Sequence, residues 1–385
     1  MSGAYQRDDE EVRGLWCPGG EGRVLEERFV ARDRPAESDV AGLQDLVEEF
    51  QRDLANADKP QGVERAVERV APAILERTTV LVKRDLERAA DWERALYWAR
   101  LKMGVLLKSH PLAQASPPWS AAVLKRLEQL SRGYGVAFRE DRGGARVLIT
   151  GFDPYGLEDR PEASNPSGLV ALALQGQTLG GRAQVASAIF PVRYRDFDAG
   201  CVEAVINPLL PNGVDVVVTI SQNGQQPHFD VERFAGQWRA GRPDNMGCQV
   251  DGGACVAPER GAAFYETTLP VAAMVSGPFV GPPEQDVYFK QSYQSDSSCA
   301  LSPRDGGVNA NRPEVSPPED GARAVRGSGG DYLSNEIFYR VAHRRELTGS
   351  PARTGHLHIP ATAGLSTAQM VERVRELLER CVGAL

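Results

Sequence analysis

The spacing of apolar residues separates the chain into two parts with different periods. From about residue 38 to residue 140, apolar positions recur every three or four residues, as at Leu43, Leu46 and Phe50. This period is typical of helices that bury one face. Ser38 precedes the first such run and has the chemistry of a helix N-cap, so the pattern predicts a first helix opened by Ser38.

Two further helical stretches occur in the same part of the chain. The first, 63–107, has the helical period with one interruption at Pro72, and the second, 117–135, ends in glycine as helices often do. We therefore predict an all-helical region over residues 39–144 whose apolar faces pack on each other or on the C-terminal part of the chain. It contains an aromatic group that is more typical of a core than of a binding site: Trp92, Tyr97 and Trp98.

After the charged, glycine-containing segment REDRGGAR the apolar pattern becomes strand-like. RVLIT, RAQVASAIFPV and GVDVVVTIS are short apolar runs rich in β-branched residues, and NPSGLVALALQGQ and FDAGCVEAVINPLL between them have helical character. Asn165 and Pro166 open the first of these helices. Strands that alternate with helices predict an α/β domain over residues 145–385, with a mostly parallel sheet covered on both faces.

Charge and composition narrow the classes of partner. The net charge is -8 with a pI near 5.4, and no long run of Lys or Arg offers a surface to a phosphate backbone, so we expect no nucleic acid partner. No apolar run is long enough to cross a bilayer, and the start of the chain does not resemble a secretory signal. We therefore expect no membrane association and a cytoplasmic protein. Residues 1–38 are polar with Gly and Pro breaks, which predicts a flexible segment.

The six cysteines show no paired spacing. In a chain of this length they are expected to be free thiols. Cys248 and Cys255 lie close together in sequence, but no further Cys or His occurs nearby at a spacing that zinc would need. We predict no metal and no other cofactor.

The candidate chemistry lies at predicted strand ends. Ligand sites of mostly parallel sheets occur at the carboxyl ends of the strands, which here carry TGFDPYG, ISQNGQQ and the segment leading to GGDYLSNEIFYRVAH. In the last of these, Ser334 stands where a helix begins. A serine there could cap the helix, or it could be a nucleophile favoured by the positive end of the helix dipole.

Four sequence blocks resemble the type I pyroglutamyl peptidases. These blocks are TGFDPYG with NPSG, SQNGQQPHFDVERFA with RPDN, RGAAFYETTLPVAAMV, and GGDYLSNEIFYRVAH with GHLHIP. They occur in the family's order over about residues 146–385. The resemblance implies a three-layer α/β sandwich with a twisted central sheet, and hydrolysis of the amide after an N-terminal pyroglutamate.

The resemblance also assigns roles to residues. The family's Cys-His-Glu triad corresponds here to Ser334, His358 and Glu232, so the nucleophilic cysteine is replaced by serine. A serine hydroxyl needs a neutral histidine within hydrogen-bond reach and a carboxylate that orients this base. The aromatic residues that hold the lactam ring in the family correspond to Phe152 and Tyr155.

Further pocket residues are predicted from their positions beside these motifs. They are Gln222 at a strand end, and Tyr332 and Leu333 beside the nucleophile. The predicted partner is a small peptide or lactam-containing substrate, and the resemblance also allows a homo-oligomer.

Departures from the family pattern leave alternatives open. The family's GGR is replaced by Gly224, Gln225 and Gln226, which removes a positive charge, and Tyr155 adds a hydroxyl. These changes suggest another small amide or acyl donor as substrate. A non-catalytic relative that binds a small ligand or protein partner is the main alternative to an enzyme, and a serine introduced to trap substrate is a lesser one. A Pro/Ser/Gly-rich insertion near 294–328 is expected to be a mobile surface loop whose attachment before Ser334 suits a lid.

Overall fold

The computed structural model describes most of the chain between residues 40 and 385. The described residues are 15–16, 27, 40–139, 143–157, 159–224, 226–240, 242–250, 254–255, 261–276, 286–296, 323–361 and 365–385. Within them, no helix combines the length and the apolar character that a bilayer crossing requires.

Helices dominate the part of the chain before residue 132. In chain order, the helices among the described residues are α1 Gln44–Ala55, α2 Pro60–Arg84, α3 Ala89–Ser109, α4 Pro111–Ala115, α5 Pro117–Ser131, α6 Pro166–Leu174, α7 Tyr194–Asp198, α8 Cys201–Ile206, α9 Val271–Val275, α10 Leu333–Thr348 and α11 Thr367–Gly383. A single 3₁₀ turn, Leu86–Arg88, joins α2 to α3. The predicted all-helical N-terminal region is therefore confirmed.

Several details of the predicted helices are wrong. The first helix begins at Gln44, after Leu43, which makes no side-chain capping bond, so it starts later than the apolar pattern predicted. Ser38, the predicted cap, lies outside the described residues. Pro72 does not interrupt its helix, because α2 continues through it. The predicted segment 117–135 ends at Gly135, whereas α5 ends at Ser131. A glycine does follow this helix end, because Gly133 has a φ of 76°, a conformation that glycine adopts without strain.

The strands form one main sheet and several small ladders. They are β1 Leu15–Trp16, β2 Ala145–Phe152, β3 Thr178–Leu179, β4 Ala183–Phe190, β5 Val216–Asn223, β6 Phe229–Glu232, β7 Phe234–Gly236, β8 Trp238–Arg239, β9 Gln249–Val250, β10 Ala254–Cys255, β11 Phe264–Glu266, β12 Val287–Lys290, β13 Gln294–Asp296, β14 Arg323–Arg326 and β15 Arg353–Pro360. The main sheet has the order β12-β6-β15-β5-β2-β4-β3. Its pairs are parallel except β6 with β15 and β3 with β4, which confirms the predicted mostly parallel α/β sheet.

Alternating strand residues bury the sheet on both faces. On β2, Val147 and Ile149 belong to one buried apolar cluster, which also includes α6, α11 and residues of the N-terminal helices. Leu148, between them, belongs to a second cluster with the apolar side of α10. Helices therefore cover both faces of the sheet, as in a three-layer sandwich. Because the first cluster continues into the helical region, the predicted domain boundary at residue 144 crosses a shared core and stays a prediction.

The predicted irregular segments are described only in part. Of the first 38 residues, Leu15–Trp16 pairs with β9, and Glu27 accepts a hydrogen bond from Lys108 at 2.8 Å. In the insertion near 294–328, β13 and β14 form an antiparallel ladder that the sequence did not predict. Residues 297–322, on which the mobile-loop prediction mainly rests, lie outside the described residues.

The expectation of free thiols is wrong for one cysteine. Cys248 is disulfide-bonded, whereas Cys201 and Cys381 are free. The scattered spacing of the cysteines favours free thiols, and this inference fails at Cys248.

Candidate active site

Strand alternation collects polar side chains on the face of the sheet that α10 covers. His356 and His358 alternate on β15 with Leu357, which belongs to the opposite apolar cluster. Thr219 and Ser221 are their direct neighbours on β5. Glu232 lies on β6, opposite His356 in the antiparallel pair. Residues two apart on a strand share a face, so these five side chains share one polar surface inside the molecule.

The first turn of α10 carries Ser334 to this surface. The helix begins at Leu333, and Tyr332 before it makes no side-chain capping bond. Ser334 is thus inside the first turn and is not the cap, and its hydroxyl donates to the carbonyl of Gly329 at 3.4 Å. The first backbone N–H groups of a helix have no partner within it, so this end of α10 can receive a negatively charged oxygen.

His358 and Glu232 form a buried acid–base pair. Nδ1 of His358 is hydrogen-bonded to Oε1 of Glu232, and the two residues are 6% and 0% exposed. Burial raises the pKa of Glu232, but the neighbouring His358 more than offsets this and brings the pKa below its usual range. The carboxylate is therefore ionised at neutral pH, and it fixes the ring of His358 with the proton on Nδ1.

The backbone packs closely against this carboxylate. The second oxygen of Glu232, Oε2, has no hydrogen-bond partner among the described residues. A Cβ at Gly329 would collide with the same oxygen. Only glycine allows the chain to pass so close to Glu232 on its way into α10.

A cavity of about 450 Å³ opens at the carboxyl ends of β5 and β15. It is lined by all but one of the predicted site residues: Phe152, Tyr155, Gln222, Tyr332, Leu333, Ser334 and His358. Glu232 is the exception, since it lies behind His358. No hydrogen bond joins Ser334 to His358 in the part of the chain that the structure describes. The structure thus brings the predicted residues together, with the serine hydroxyl turned to Gly329.

The aromatic walls of the cavity are held by packing from behind. The ring of Phe152 is stacked on Phe197 at 6.2 Å between centroids, with 5° between the planes. Tyr332 meets Tyr194 edge to face and donates its hydroxyl to the carbonyl of Pro243 at 3.2 Å. The walls therefore combine core packing with access to the cavity, so the packing of Phe152 from behind is compatible with its predicted contact with a ligand.

Gln222 offers an unsatisfied acceptor to the cavity. Its Oε1 is buried and has no hydrogen-bond partner among the described residues. Leaving a buried carbonyl unpaired costs free energy on the order of 1–3 kcal/mol, and a ligand N–H would recover it. The side chain is therefore suited to recognise a donor on the ligand.

A second serine–histidine pair, Ser221 and the buried His356, lies beside this cavity and was not predicted from the sequence. Ser221 also lines the cavity, and its Oγ is 2.8 Å from Nε2 of His356. Nδ1 of His356 is 2.7 Å from Oγ1 of Thr219. Burial lowers the pKa of His356 to about 3. The sequence did carry a signal for this pair. HLHIP has two histidines and VVVTIS has two hydroxyl residues, and in each segment the two are two residues apart, so they share one face of a strand.

Positive charge at the cavity was also missed. Arg242, Lys290 and Arg326 line it, so the loss of the family's arginine does not leave the site without cations. Lys290 lies 3.7 Å from the buried Asp230, and Arg326 pairs with Asp331 at 3.2 Å. Gln226 lines the cavity, and Gln225 lies outside the described residues.

One carboxylate and two histidines beside the cavity are close enough together to be considered as a metal site. Ligand atoms of Glu232, His356 and His358 lie within 4.8 Å of one another. Both ring nitrogens of His356 are hydrogen-bonded to hydroxyls, however, and Glu232 is bonded directly to His358. A metal would require these bonds to break, so the arrangement fits a hydrogen-bonded network better than a metal centre.

Comparisons with known proteins give the class of protein. A family model described as the PA0049 C-terminal domain matches residues 146–264 and 258–363, and one described as the PA0049 N-terminal domain matches residues 18–128. The chain therefore belongs to the PA0049 family, and its C-terminal part is homologous to pyrrolidone-carboxylate peptidases.

Similar relatives include both pyrrolidone-carboxylate peptidases and PA0049 itself. Pyrrolidone-carboxylate peptidase 2 of Photorhabdus laumondii is 31% identical over 215 residues, which are 56% of this chain and 76% of that protein. The uncharacterized protein PA0049 of Pseudomonas aeruginosa is 28% identical, over 56% of this chain and 52% of that protein. Among solved structures, the pyrrolidone carboxyl peptidase of Pyrococcus furiosus matches with 21% identity and a TM-score of 0.44, over 62% of this chain and 99% of that one. The relatives support the predicted resemblance and a peptidase-type hydrolase.

Proposed function

We propose that the protein cleaves the amide bond after an N-terminal pyroglutamate or a similar lactam, through Ser334, His358 and Glu232. The observation that carries this proposal is the buried His358–Glu232 pair in the wall of a cavity that also receives Ser334 from a helix N-terminus. We keep the predicted small-peptide partner, self-association and cytoplasmic location as parts of the same proposal.

The chemistry depends on the positions of the three groups. Ser334 Oγ attacks the amide carbonyl, and Nε2 of His358 takes the hydroxyl proton while Nδ1–H donates to Glu232. The carbonyl oxygen becomes negative and is stabilised by N–H groups of the first turn of α10. His358 then protonates the leaving amine, and a water activated by the same base hydrolyses the acyl-serine. The hydroxyl must first rotate from Gly329 towards His358, as apo sites often require.

The cavity suits an uncharged five-membered lactam. Phe152 and Tyr155 offer aromatic surface for a flat ring, which gains contact area at little polar cost. The unpaired Oε1 of Gln222 would accept the lactam N–H.

The test is hydrolysis of pyroglutamyl-7-amino-4-methylcoumarin by the native chain and its serine variants. We expect Ser334→Ala to lose about 10³-fold or more in kcat, and Ser334→Cys to retain turnover. Ser109→Ala is the matched control, because Ser109 is exposed on α3 and its hydroxyl donates to the carbonyl of Val105 in the same helix. Turnover unchanged by Ser334→Ala would contradict the mechanism.

The second candidate is a non-catalytic relative that binds a small ligand or protein partner. The orientation of the Ser334 hydroxyl favours it, since this group is bonded to Gly329 and not to His358. This function predicts thermal stabilisation by pyroglutamate without hydrolysis by either the native chain or Ser334→Cys.

A further inference from the structure

We propose that the helical N-terminal region positions the cavity, by holding the loop that follows Phe152 at the end of β2 and that carries Tyr155. The inference rests on the proposed function for its substrate. It assigns a role to helices that, among the described residues, contribute no side chain to the cavity wall.

Two arginines from the helical region bind one carboxylate of this loop. Asp153 is 2% exposed; one of its oxygens accepts from Arg100 at 2.8 Å and the other from Arg132 at 2.6 Å. Arg100 lies on α3, and Arg132 comes directly after α5. Arg100 is itself fixed by two bonds to Ser131, from Nε at 3.0 Å and from Nη2 at 3.1 Å. Asp153 is the residue next to Phe152, so these two ion pairs act one residue from the cavity wall.

The main chain of the loop is held as well. Nδ2 of Asn245 donates to the carbonyl of Pro154 at 2.9 Å and to the hydroxyl of Tyr97, on α3, at 3.1 Å. Nδ2 of Asn165 donates to the carbonyl of Asp153 at 2.9 Å. Both the side chain and the backbone of the loop are thus connected to α3.

A further carboxylate balances the charge of the arginines between the helical region and the α/β domain. Glu128 on α5 accepts from Arg132 at 2.6 Å and from Arg193, after β4, at 2.8 Å. Burial raises the pKa of Glu128, but the guanidinium groups of Arg132 and Arg193 more than offset this and hold it well below its usual range. The network therefore stays charged at neutral pH and joins the helices to two strand-end segments.

A network of this kind determines geometry more than stability. Burying ion pairs costs desolvation free energy, so such pairs often add little to stability compared with apolar residues. A loop at a strand end is otherwise free to move, and catalysis is sensitive to shifts of the substrate of about 1 Å. Fixing Asp153 from both sides keeps the aromatic surface in register with Ser334.

The experiment compares Arg132→Gln and the conservative Arg132→Lys with Val67→Ala. Val67 is buried in α2 and makes none of the hydrogen bonds described, so Val67→Ala lowers the stability of the helical region without touching the loop. Steady-state kinetics on pyroglutamyl-7-amino-4-methylcoumarin are combined with hydrogen exchange of peptides that cover residues 150–157.

We expect Arg132→Gln to raise KM by about tenfold or more and to speed exchange in 150–157, with Arg132→Lys between it and the native chain. Val67→Ala should change neither. A variant that only unfolds more of the enzyme lowers the apparent kcat and leaves KM unchanged. Equal KM and equal loop exchange in all three variants would overturn the inference. If Arg132→Gln does not fold, the KM and the loop exchange of Arg132→Lys, compared with those of Val67→Ala, decide whether the inference holds.

The hydrogen-exchange measurement does not depend on turnover. If the native chain hydrolyses nothing, the proposed function fails, but exchange in 150–157 still shows whether the helices hold the loop. If turnover is present and the loop responds no more than in Val67→Ala, the positioning role fails alone.

Discussion

Two serine–histidine arrangements lie side by side at the cavity, although His356 is buried and does not line it. They differ in the group that is bonded to the other nitrogen of the imidazole. Ser221 and His356 are already hydrogen-bonded, at 2.8 Å, with the hydroxyl of Thr219 on the other ring nitrogen. Ser334 and His358 are not hydrogen-bonded, but the carboxylate of Glu232 holds the other nitrogen of His358.

This difference decides which histidine can act as a base. A base must become positively charged when it takes the serine proton, and a buried imidazolium needs a compensating charge. Glu232 supplies that charge to His358. Thr219 supplies none, and burial lowers the pKa of His356 to about 3, so this ring stays neutral at physiological pH. A hydrogen bond to serine is therefore a poorer sign of function here than a carboxylate behind the histidine.

The largest expected effect comes from removing the carboxylate. Glu232→Gln keeps the size of the side chain but loses the charge and the preferred tautomer of His358, so we expect kcat to fall by about 10³–10⁴-fold. Thr219→Val, the matched change behind His356, should lower kcat by less than about tenfold. Both are measured by steady-state hydrolysis of the coumarin substrate. Equal losses in the two variants would remove the distinction between the two arrangements.

A smaller effect is expected on stability against pH. His356 is neutral in the folded protein. In the unfolded chain its pKa has the ordinary value of 6.5, so the ring takes up a proton as the pH falls below 6.5. Unfolding is therefore favoured progressively from pH 6.5 down to about pH 3. Between pH 7 and pH 5 this lowers the free energy of unfolding by about 2 kcal/mol.

Urea unfolding at both pH values measures this contribution. His356→Gln should lack this pH-dependent loss of stability. The free energy of unfolding of the native chain should therefore approach that of the variant as the pH falls. Glu232 does not interfere, because its lowered pKa keeps it ionised above its ordinary value of 4.5, and its contribution is lost only below that. Val67→Ala, which removes no titratable group, should keep the native pH dependence. A pH dependence unchanged by His356→Gln would contradict a buried neutral ring.

The sequence predicted those parts of the site that depend on local periodicity or on motif order. The apolar run of β5 placed Gln222 at a strand end, and the order of the family motifs placed His358 in the site. The predicted opening of α6 at Asn165 is confirmed, since the side chain of Asn165 accepts from the backbone N–H of Ser167. Such signals lie within a few residues of each other, so a single sequence displays them.

The remaining features arise from contacts between distant segments. Arg100 and Asp153 are 53 residues apart, and nothing local to either predicts that they meet. The late start of α1 and the continuous α2 through Pro72 likewise reflect packing of the helical region, which overrides local preferences. The direction of the Ser334 hydroxyl depends on the turn at Gly329, which tertiary packing against Glu232 fixes.

The most direct measurement is to identify the residue that becomes acylated. The native chain is mixed with p-nitrophenyl pyroglutamate, quenched in acid during turnover and digested for peptide mass spectrometry. We predict one pyroglutamyl group on the peptide that contains Ser334, and none on the peptide that contains Ser221. Acylation of Ser221, or turnover with Ser334 unmodified and Ser334→Ala fully active, would contradict the proposed nucleophile.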